Sequence, residues 1–286
     1  MNPVNTALWY VERHFTREIT LDEIASAAGV SPFYLTRAFA IATGHSIMRY
    51  VRGRRLTEAA RALAQGAPDI LTVAVEVGYG SHEAFTRAFR DQFGVTPVRL
   101  RTERRLDTLN LMEPVRMDQT LLDTLAPPRI VDAKPLLVAG LSERYTCETS
   151  AGIPAQWQRF QPFFGSIPGQ VGRVVYGVRH NTDDGGDFDY LCGVEVPNFS
   201  RVGATLSKAR FPAQRYAVFL HDDHIATIRR THSTIWSTWL PQSSYDVVDA
   251  PSFERYGERF DSNTGVGGVE IWIPIRQASA ESNHAH

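Results

Sequence analysis

SPFYLTRAFAIATG, residues 31–44, is followed fifty positions later by SHEAFTRAFRDQFG, residues 81–94. The two stretches share Thr-Arg-Ala-Phe and a closing glycine at the same spacing. Small residues upstream of them recur as well, forty-nine positions apart: Ala25 and Gly29 in the first copy, Ala74 and Gly78 in the second. Similarity that stays in register over such a distance indicates an internal repeat.

Each copy is predicted to be a helix-turn-helix unit. In the first copy Thr20 is an N-cap, Gly29 ends the helix that follows it, and Ser31 caps the next helix. Inward-facing residues are predicted from their helical spacing: Leu35, Ala38, Phe39 and Ala42 in the first copy, and Phe85, Ala88 and Phe89 in the second. Outward-facing residues are Phe33, Tyr34, Thr36 and Arg37 in the first copy, and His82, Glu83, Thr86, Arg87 and Arg90 in the second. A helix over about residues 46–65 is predicted to join the units.

Residues 8–105 resemble the AraC/XylS-type DNA-binding domain. The resemblance rests on Gly78-Tyr79-Gly80-Ser81, on the run Phe85–Phe89 and on Gly94-Val95-Thr96-Pro97. It implies an all-α domain with two recognition helices that enter adjacent major-groove segments of double-stranded DNA, about 34 Å apart. A sequence-specific transcription regulator is therefore expected.

The resemblance also implies which residues touch DNA, in the early turns of each recognition helix. The matching positions are Phe33, Thr36 and Arg37 in the first helix, and His82, Glu83 and Arg87 in the second. Arg37 and Arg87 are each expected to donate to guanine O6 and N7, and Glu83 to accept from cytosine N4. Ser31 and Thr86 are expected to hold phosphates. The alternatives are that Arg37 and Arg87 recur through ancestry alone, that Phe33 closes a small core, and that His82 only begins a helix. Arg54-Arg55 and Arg104-Arg105 are expected to face solvent or phosphate.

Composition and charge agree with a two-domain globular protein. The 286 residues are 43% hydrophobic and 21% charged, with a net charge of −1. Residues 1–116 hold 15 arginines, no lysine and 12 acidic residues, which suits phosphate and base contacts. There is no long apolar run and no signal-peptide pattern, and Cys147 and Cys192 lack metal-ligand spacing. We expect a cytoplasmic protein with reduced thiols, no membrane partner, and neither a metal nor a cofactor.

The C-terminal half is predicted to be a second, α+β domain that also repeats. Trp157 and Pro162 have the spacing of Trp236 and Pro241, and Gly193-Val194-Glu195-Val196 matches Gly268-Val269-Glu270-Ile271. The order strand, helix, strand, strand is expected twice, with a ligand cleft between the halves. The predicted boundaries are 1–106 for the DNA-binding domain, 107–128 for a linker, 129–276 for this domain and 277–286 for a tail.

Strand alternation places Glu254 beside Tyr256, and Glu270 beside Trp272. Carboxylates beside aromatic rings suit a flat cationic or amphipathic ligand, whereas the plainer alternative is a solvated sheet face. Residues 128–276 resemble the GyrI-like effector-binding domain, in Ile153-Pro154, in 211–216 (FPAQRY) and in 269–274 (VEIWIP). This resemblance implies a pocket for drug-like molecules, lined by aromatics and one or two glutamates. The candidate lining residues are Trp157, Tyr190, Trp239, Glu254, Tyr256, Glu270 and Trp272.

Three functions compete. The first is a regulator modulated by a small aromatic or cationic ligand, which fits multidrug recognition. The second is a DNA-binding domain fused to a GyrI-like hydrolase, in which a glutamate near a tyrosine is the general base. The third is a ligand-independent regulator whose C-terminal domain binds proteins such as RNA polymerase. The sequence His221-Asp222-Asp223-His224 suggests metal binding, but its position before a helix favours capping.

Overall fold

The computed structural model describes residues 2–115, 125–183 and 185–278. Contacts divide the chain into a helical unit, Met1–Met117, and an α+β unit, Asp118–His286. Both fold classes agree with the sequence predictions.

The helical unit contains two helix-turn-helix pairs, as predicted. Thr20 caps the second helix through a capping box, in which its hydroxyl accepts from the Glu23 amide while the Glu23 carboxylate accepts from the Thr20 amide. Ser31 and Ser81 cap the two recognition helices, and Gly44 and Gly94 end them with φ of 75° and 70°. The helices are α1 Pro3–His14, α2 Leu21–Ala27, α3 Pro32–Thr43, α4 Ile47–Ala64, α5 Ile70–Glu76, α6 His82–Phe93 and α7 Pro97–Glu103.

Arg54 on α4 is buried, so the prediction that it faces solvent or phosphate is wrong. Its guanidinium donates to both carboxylate oxygens of Glu12 on α1, at 2.9 Å and 3.0 Å, and to the Met112 carbonyl at 3.0 Å. An arginine without such partners would lose its hydration without compensation, so the ion pair and the carbonyl account for its burial.

The first part of the predicted linker lies against α4. The Met112 amide donates to Thr57, and the Val115 amide donates to the Tyr50 hydroxyl, at 2.8 Å and 3.1 Å. The helical unit therefore extends beyond residue 106. Residues 116–124 of the predicted linker and 279–286 of the predicted tail lie outside the described residues, while Gln277 ends the last strand.

The α+β unit contains one antiparallel sheet in the order β1-β6-β9-β8-β3-β4-β2-β5, with β7 paired to β9. The strands are β1 Arg129–Ala133, β2 Leu136–Tyr145, β3 Val175–His180, β4 Phe188–Glu195, β5 Ser207–Phe211, β6 Gln214–His221, β7 Tyr245–Val247, β8 Ser252–Tyr256 and β9 Val269–Gln277. The helices are α8 Ile153–Phe160 and α9 Ile228–Thr234, the second of which continues through a π-helical turn, Ile235–Trp239, and a last turn, Leu240–Gln242.

The predicted β-α-β-β repeat is present as β2-α8-β3-β4 and as β6-α9-β8-β9, with β3 and β8 paired where the halves meet. Each half also has a leading strand that the sequence did not predict. β1 precedes β2 but pairs with β6, and β5 precedes β6 but pairs with β2. The two halves therefore exchange their leading strands, through short links that contain Pro135 and Pro212.

The sheet has a helix face, on which α8 and α9 pack, and an opposite face. On the helix face Trp157 and Phe160 of α8 pack with Tyr190 and Cys192 of β4. Trp239 after α9 packs on Phe219 of β6. The opposite face has its own apolar cluster, which contains Val138, Tyr176, Phe211, Tyr216 and Phe253.

Candidate functional site

A half-buried carboxylate lies at the junction of the halves on the helix face. Glu254 on β8 is 18% exposed and has three donors from three elements. One carboxylate oxygen, Oε2, accepts from the hydroxyls of Tyr190 and Tyr256, at 3.0 Å and 2.8 Å. The other, Oε1, lies 3.2 Å from His232 Nε2 on α9. The carboxylate is thus held in one orientation by both halves.

Aromatic rings enclose this carboxylate. The indole of Trp157 on α8 donates to the Tyr190 hydroxyl at 3.2 Å, and its ring lies 5.1 Å from that of Tyr256. Gly177 on β3, the cross-strand partner of Glu254, makes room for the group, because a Cβ there would lie 2.1 Å from the Tyr190 hydroxyl. The glycine allows the tyrosine to reach Glu254 across the sheet.

The electrostatics keep Glu254 charged. Burial by itself raises the pKa of Glu254, but the hydrogen bond and charge of His232, together with the two tyrosine hydroxyls, outweigh burial and lower that pKa below its ordinary value. Burial and the neighbouring Glu254 charge raise the pKa of Tyr190 and of Tyr256 well above their ordinary value. Both phenols therefore remain protonated donors at neutral pH. The arrangement is a fixed negative charge in an aromatic surrounding.

The structure brings together four of the seven predicted lining residues: Trp157, Tyr190, Glu254 and Tyr256. Trp239 lies on the same face, but its ring packs on Phe219 and Tyr245, at 4.9 Å and 6.2 Å. His232 and Gly177 complete the group and were missed. The sequence carried no signal for His232, because it reaches Glu254 from 22 positions earlier in the chain.

Glu270 and Trp272 lie on the opposite face, so the prediction that all seven residues line one cleft is wrong. The register pairs Arg255 with Glu270 and Phe253 with Trp272, whereas Glu254 pairs with Ile271. Directly opposed residues share a face, and consecutive residues do not. Glu270 is held by Arg129 and Arg255, at 2.5 Å and 3.1 Å, so its charge is already compensated.

A cavity of about 110 Å³ opens on the opposite face. Trp272, stacked on Phe253 at 5.0 Å, lines it together with Tyr176, Phe211 and Arg255. No carboxylate lines this cavity, so the chemistry suited to a cation belongs to the helix face.

The candidate DNA-binding surface is on α6. His82, Glu83 and Arg87 are exposed there, and Thr86 is half-buried. Phe85 and Phe89 are the buried residues of this helix, so its polar side is open. The exposed residues are those that the sequence placed outward.

The corresponding side of α3 is not open. Ser31 is exposed and Phe33 half-buried, but residues 34–40 are all buried, with Thr36 4% and Arg37 3% exposed. The prediction that Thr36 and Arg37 point outward is therefore wrong. The Arg37 guanidinium lies 4.3 Å from the centre of the Phe33 ring. The physical reason is composition: apolar residues occur all round α3, and such a helix is buried, whereas α6 has one polar side.

Asp223 and His224 cap the turn before α9, as predicted. His224 Nδ1 accepts from the Ala226 amide at 3.1 Å, and Asp223 accepts from the His224 amide at 2.7 Å. His221 is buried against Thr231 at 2.8 Å. Within residues 2–115, 125–183 and 185–278, no helix is long and apolar enough to cross a membrane.

Comparisons with known proteins match both units. Residues 126–276 match the model of the GyrI-like small molecule binding domain, and residues 24–103 match that of a helix-turn-helix domain. The chain is 25% identical to the Right origin-binding protein of Escherichia coli K12 over 287 residues, which cover 96% of this chain and 98% of that protein. It is equally similar, with the same coverage, to the Transcriptional regulator Rob of Salmonella typhimurium. The Probable transcription factor PqrA of Proteus vulgaris is 38% identical over 102 residues, 35% of this chain and 84% of that protein.

Proposed function

The chain belongs to the family with a GyrI-like small molecule binding domain, and from this premise we propose that it is a DNA-binding transcription regulator controlled by a cationic aromatic ligand. The observation that carries the proposal is the charged Glu254, buried among Trp157, Tyr190 and Tyr256. The relatives that match nearly the whole chain are named as an origin-binding protein and a transcriptional regulator.

The ligand class follows from charge and shape. A buried carboxylate attracts a cation strongly, because little water screens it, and aromatic faces add cation–π attraction and stacking area. Neutral ligands gain the stacking alone. Binding should therefore favour lipophilic cations over uncharged molecules of equal size.

DNA recognition is assigned first to α6. In this proposal Arg87 binds guanine and Glu83 accepts from cytosine, while His82 lies at the helix start and Thr86 contacts phosphate. Ser31, Phe33, Thr36 and Arg37 are the matching residues of α3, of which Ser31 is exposed. A ligand changes DNA affinity only if it binds unequally to two states of the protein that differ in their affinity for DNA. An activated form could also contact RNA polymerase.

The state of Glu254 favours binding over hydrolysis. A carboxylate whose pKa is lowered is a weak general base, because base strength falls with pKa. The hydrolase hypothesis requires a raised pKa for the general base. A ligand consumed during incubation would overturn this preference.

Trp157 gives the site a fluorescent group, because its indole donates to the Tyr190 hydroxyl. Tryptophan fluorescence is followed while a quaternary aryl ammonium ion, or its uncharged carbon isostere, is added to the full chain. Saturable quenching by the cation alone, with a change in affinity for DNA, supports the proposal. Equal response to both molecules, or none, contradicts it.

A further inference from the structure

The two oxygens of Glu254 have different partners. Oε2 accepts from the Tyr190 and Tyr256 hydroxyls, at 3.0 Å and 2.8 Å. Among the described residues, Oε1 is contacted by His232 Nε2 at 3.2 Å. Hydrogen bonds from two phenols satisfy Oε2, so a ligand cation would approach Oε1, and His232 already occupies that position.

We propose that His232 is an internal counter-charge which a cationic ligand must displace, and that it sets the selectivity of the site. The inference rests on the proposed function, because it concerns the same carboxylate. When His232 is protonated it forms an ion pair with Glu254, and an incoming cation must compete with that pair. When His232 is neutral the competition is reduced to a hydrogen bond, which is weaker.

The other titratable groups around His232 keep one charge state near neutral pH. On β4 and β8, burial raises the pKa of Tyr190, Tyr256 and Cys192, so these groups remain uncharged near neutral pH. The pKa of Glu254 is lowered, so its own protonation occurs at more acidic pH.

The remaining charges near the site have other partners or face solvent. Glu143 of β2 and Arg159 of α8 form an ion pair with each other at 2.5 Å. Arg229 and Arg230 on α9 itself are exposed. Among the described residues, His232 is therefore the group that a cation must displace from Glu254 Oε1.

The test compares the full chain with His232→Gln, which keeps a donor for Oε1 but cannot be charged, and with His232→Leu, which removes the donor. Arg229→Gln is the matched control, since it removes a positive charge from the exposed side of the same helix. Binding of benzyltrimethylammonium is measured by calorimetry at neutral pH.

We expect His232→Leu to bind the cation about tenfold more tightly than the wild type, because the partner that the cation must displace from Oε1 is gone. His232→Gln keeps an uncharged donor and should bind with an affinity between those of the wild type and His232→Leu, and Arg229→Gln should bind like the wild type. Binding by both His232 variants that is no tighter than that of the wild type would overturn the role of His232 while leaving the ligand site intact. Absence of binding by the wild type and by both His232 variants would overturn both proposals.

Discussion

Glu254 and Glu270 lie on paired strands one register position apart, yet their carboxylates point to opposite faces of the sheet. Glu254 is opposed by Ile271, and Glu270 by Arg255. The first carboxylate is surrounded by phenols, an indole and an imidazole, and the second by two arginines. Two glutamates that look equivalent in the sequence therefore have different chemistry.

Glu254→Gln should weaken binding of an aryl ammonium ion by tenfold or more, because a charged, buried partner is lost. Glu270→Gln is the matched variant, with the same chemical change on the other face. Glu270→Gln should leave the affinity within about twofold of that of the wild type, because Glu270 lies on the face away from the ligand site. Calorimetric titration measures the affinity of both variants. A larger loss of affinity in Glu270→Gln than in Glu254→Gln would place the ligand on the opposite face.

Gly177→Ala should disrupt the ligand site. The new Cβ would lie 2.1 Å from the Tyr190 hydroxyl and 3.2 Å from Glu254 Oε2, so the tyrosine must move. Overpacking of this kind costs about 1–3 kcal/mol of unfolding free energy. Gly80→Ala is the control, because a Cβ there meets nothing within 4 Å.

The double variant Gly177→Ala/Tyr190→Phe tests whether the contact between the new Cβ and the Tyr190 hydroxyl causes the loss of stability. Removal of the hydroxyl should restore part of the stability lost in Gly177→Ala, as followed by thermal unfolding. A double variant that is less stable than both single ones would show that the collision is not the cause.

Arg87→Ala and Arg37→Ala should differ, although the two arginines hold the same place in the repeat. Arg87 is exposed on α6, so its loss should weaken specific DNA binding by about 1–3 kcal/mol and leave thermal stability unchanged. Arg37 is buried over Phe33, so its loss should also lower the melting temperature. Fluorescence anisotropy with duplex DNA and thermal unfolding measure the two effects. Arg105→Ala, at an exposed ion pair with Asp107, is the control.

Acid should remove the stability that Glu254 contributes. Because its pKa is lower in the folded chain than its ordinary value of 4.5, the contribution is fully present above that value and is lost as the pH falls through the folded pKa. The difference in unfolding free energy between the wild type and Glu254→Gln should therefore shrink from pH 6 to pH 3.5. A difference that grows with acidity would mean that burial, rather than His232 and the phenols, controls this carboxylate.

The repeat, the caps and the helix periodicity were sufficient to predict the helical unit, because each depends on residues close in the sequence. Thr36 and Arg37 were misplaced because the repeat was assumed to impose one pattern of burial on both copies, although apolar residues occur all round α3. A helix of this composition is expected to be buried on every side, whatever the pattern of its repeat partner.

In the α+β unit, alternation correctly paired Glu254 with Tyr256 and Glu270 with Trp272. Alternation within each strand could not predict whether the two pairs share a face. That depends on the register between β8 and β9, and a shift of one residue in register moves a side chain to the other face. His232 reaches Glu254 from a helix 22 positions earlier, and such a contact leaves no periodic signal. The leading strands were missed for a similar reason, since each pairs outside its own half.

The exchange of β1 and β5 between the halves makes the α+β unit indivisible. A chain cut between residues 195 and 207 would give two fragments, each of which keeps a strand whose partner lies in the other. Each fragment would then expose open strand edges and tend to aggregate alone. Expressed together, the fragments could complement each other, because the missing partner strand is then supplied. Although the unit is built from two copies of one motif, the pairing of strands from distant parts of the sequence implies slow folding.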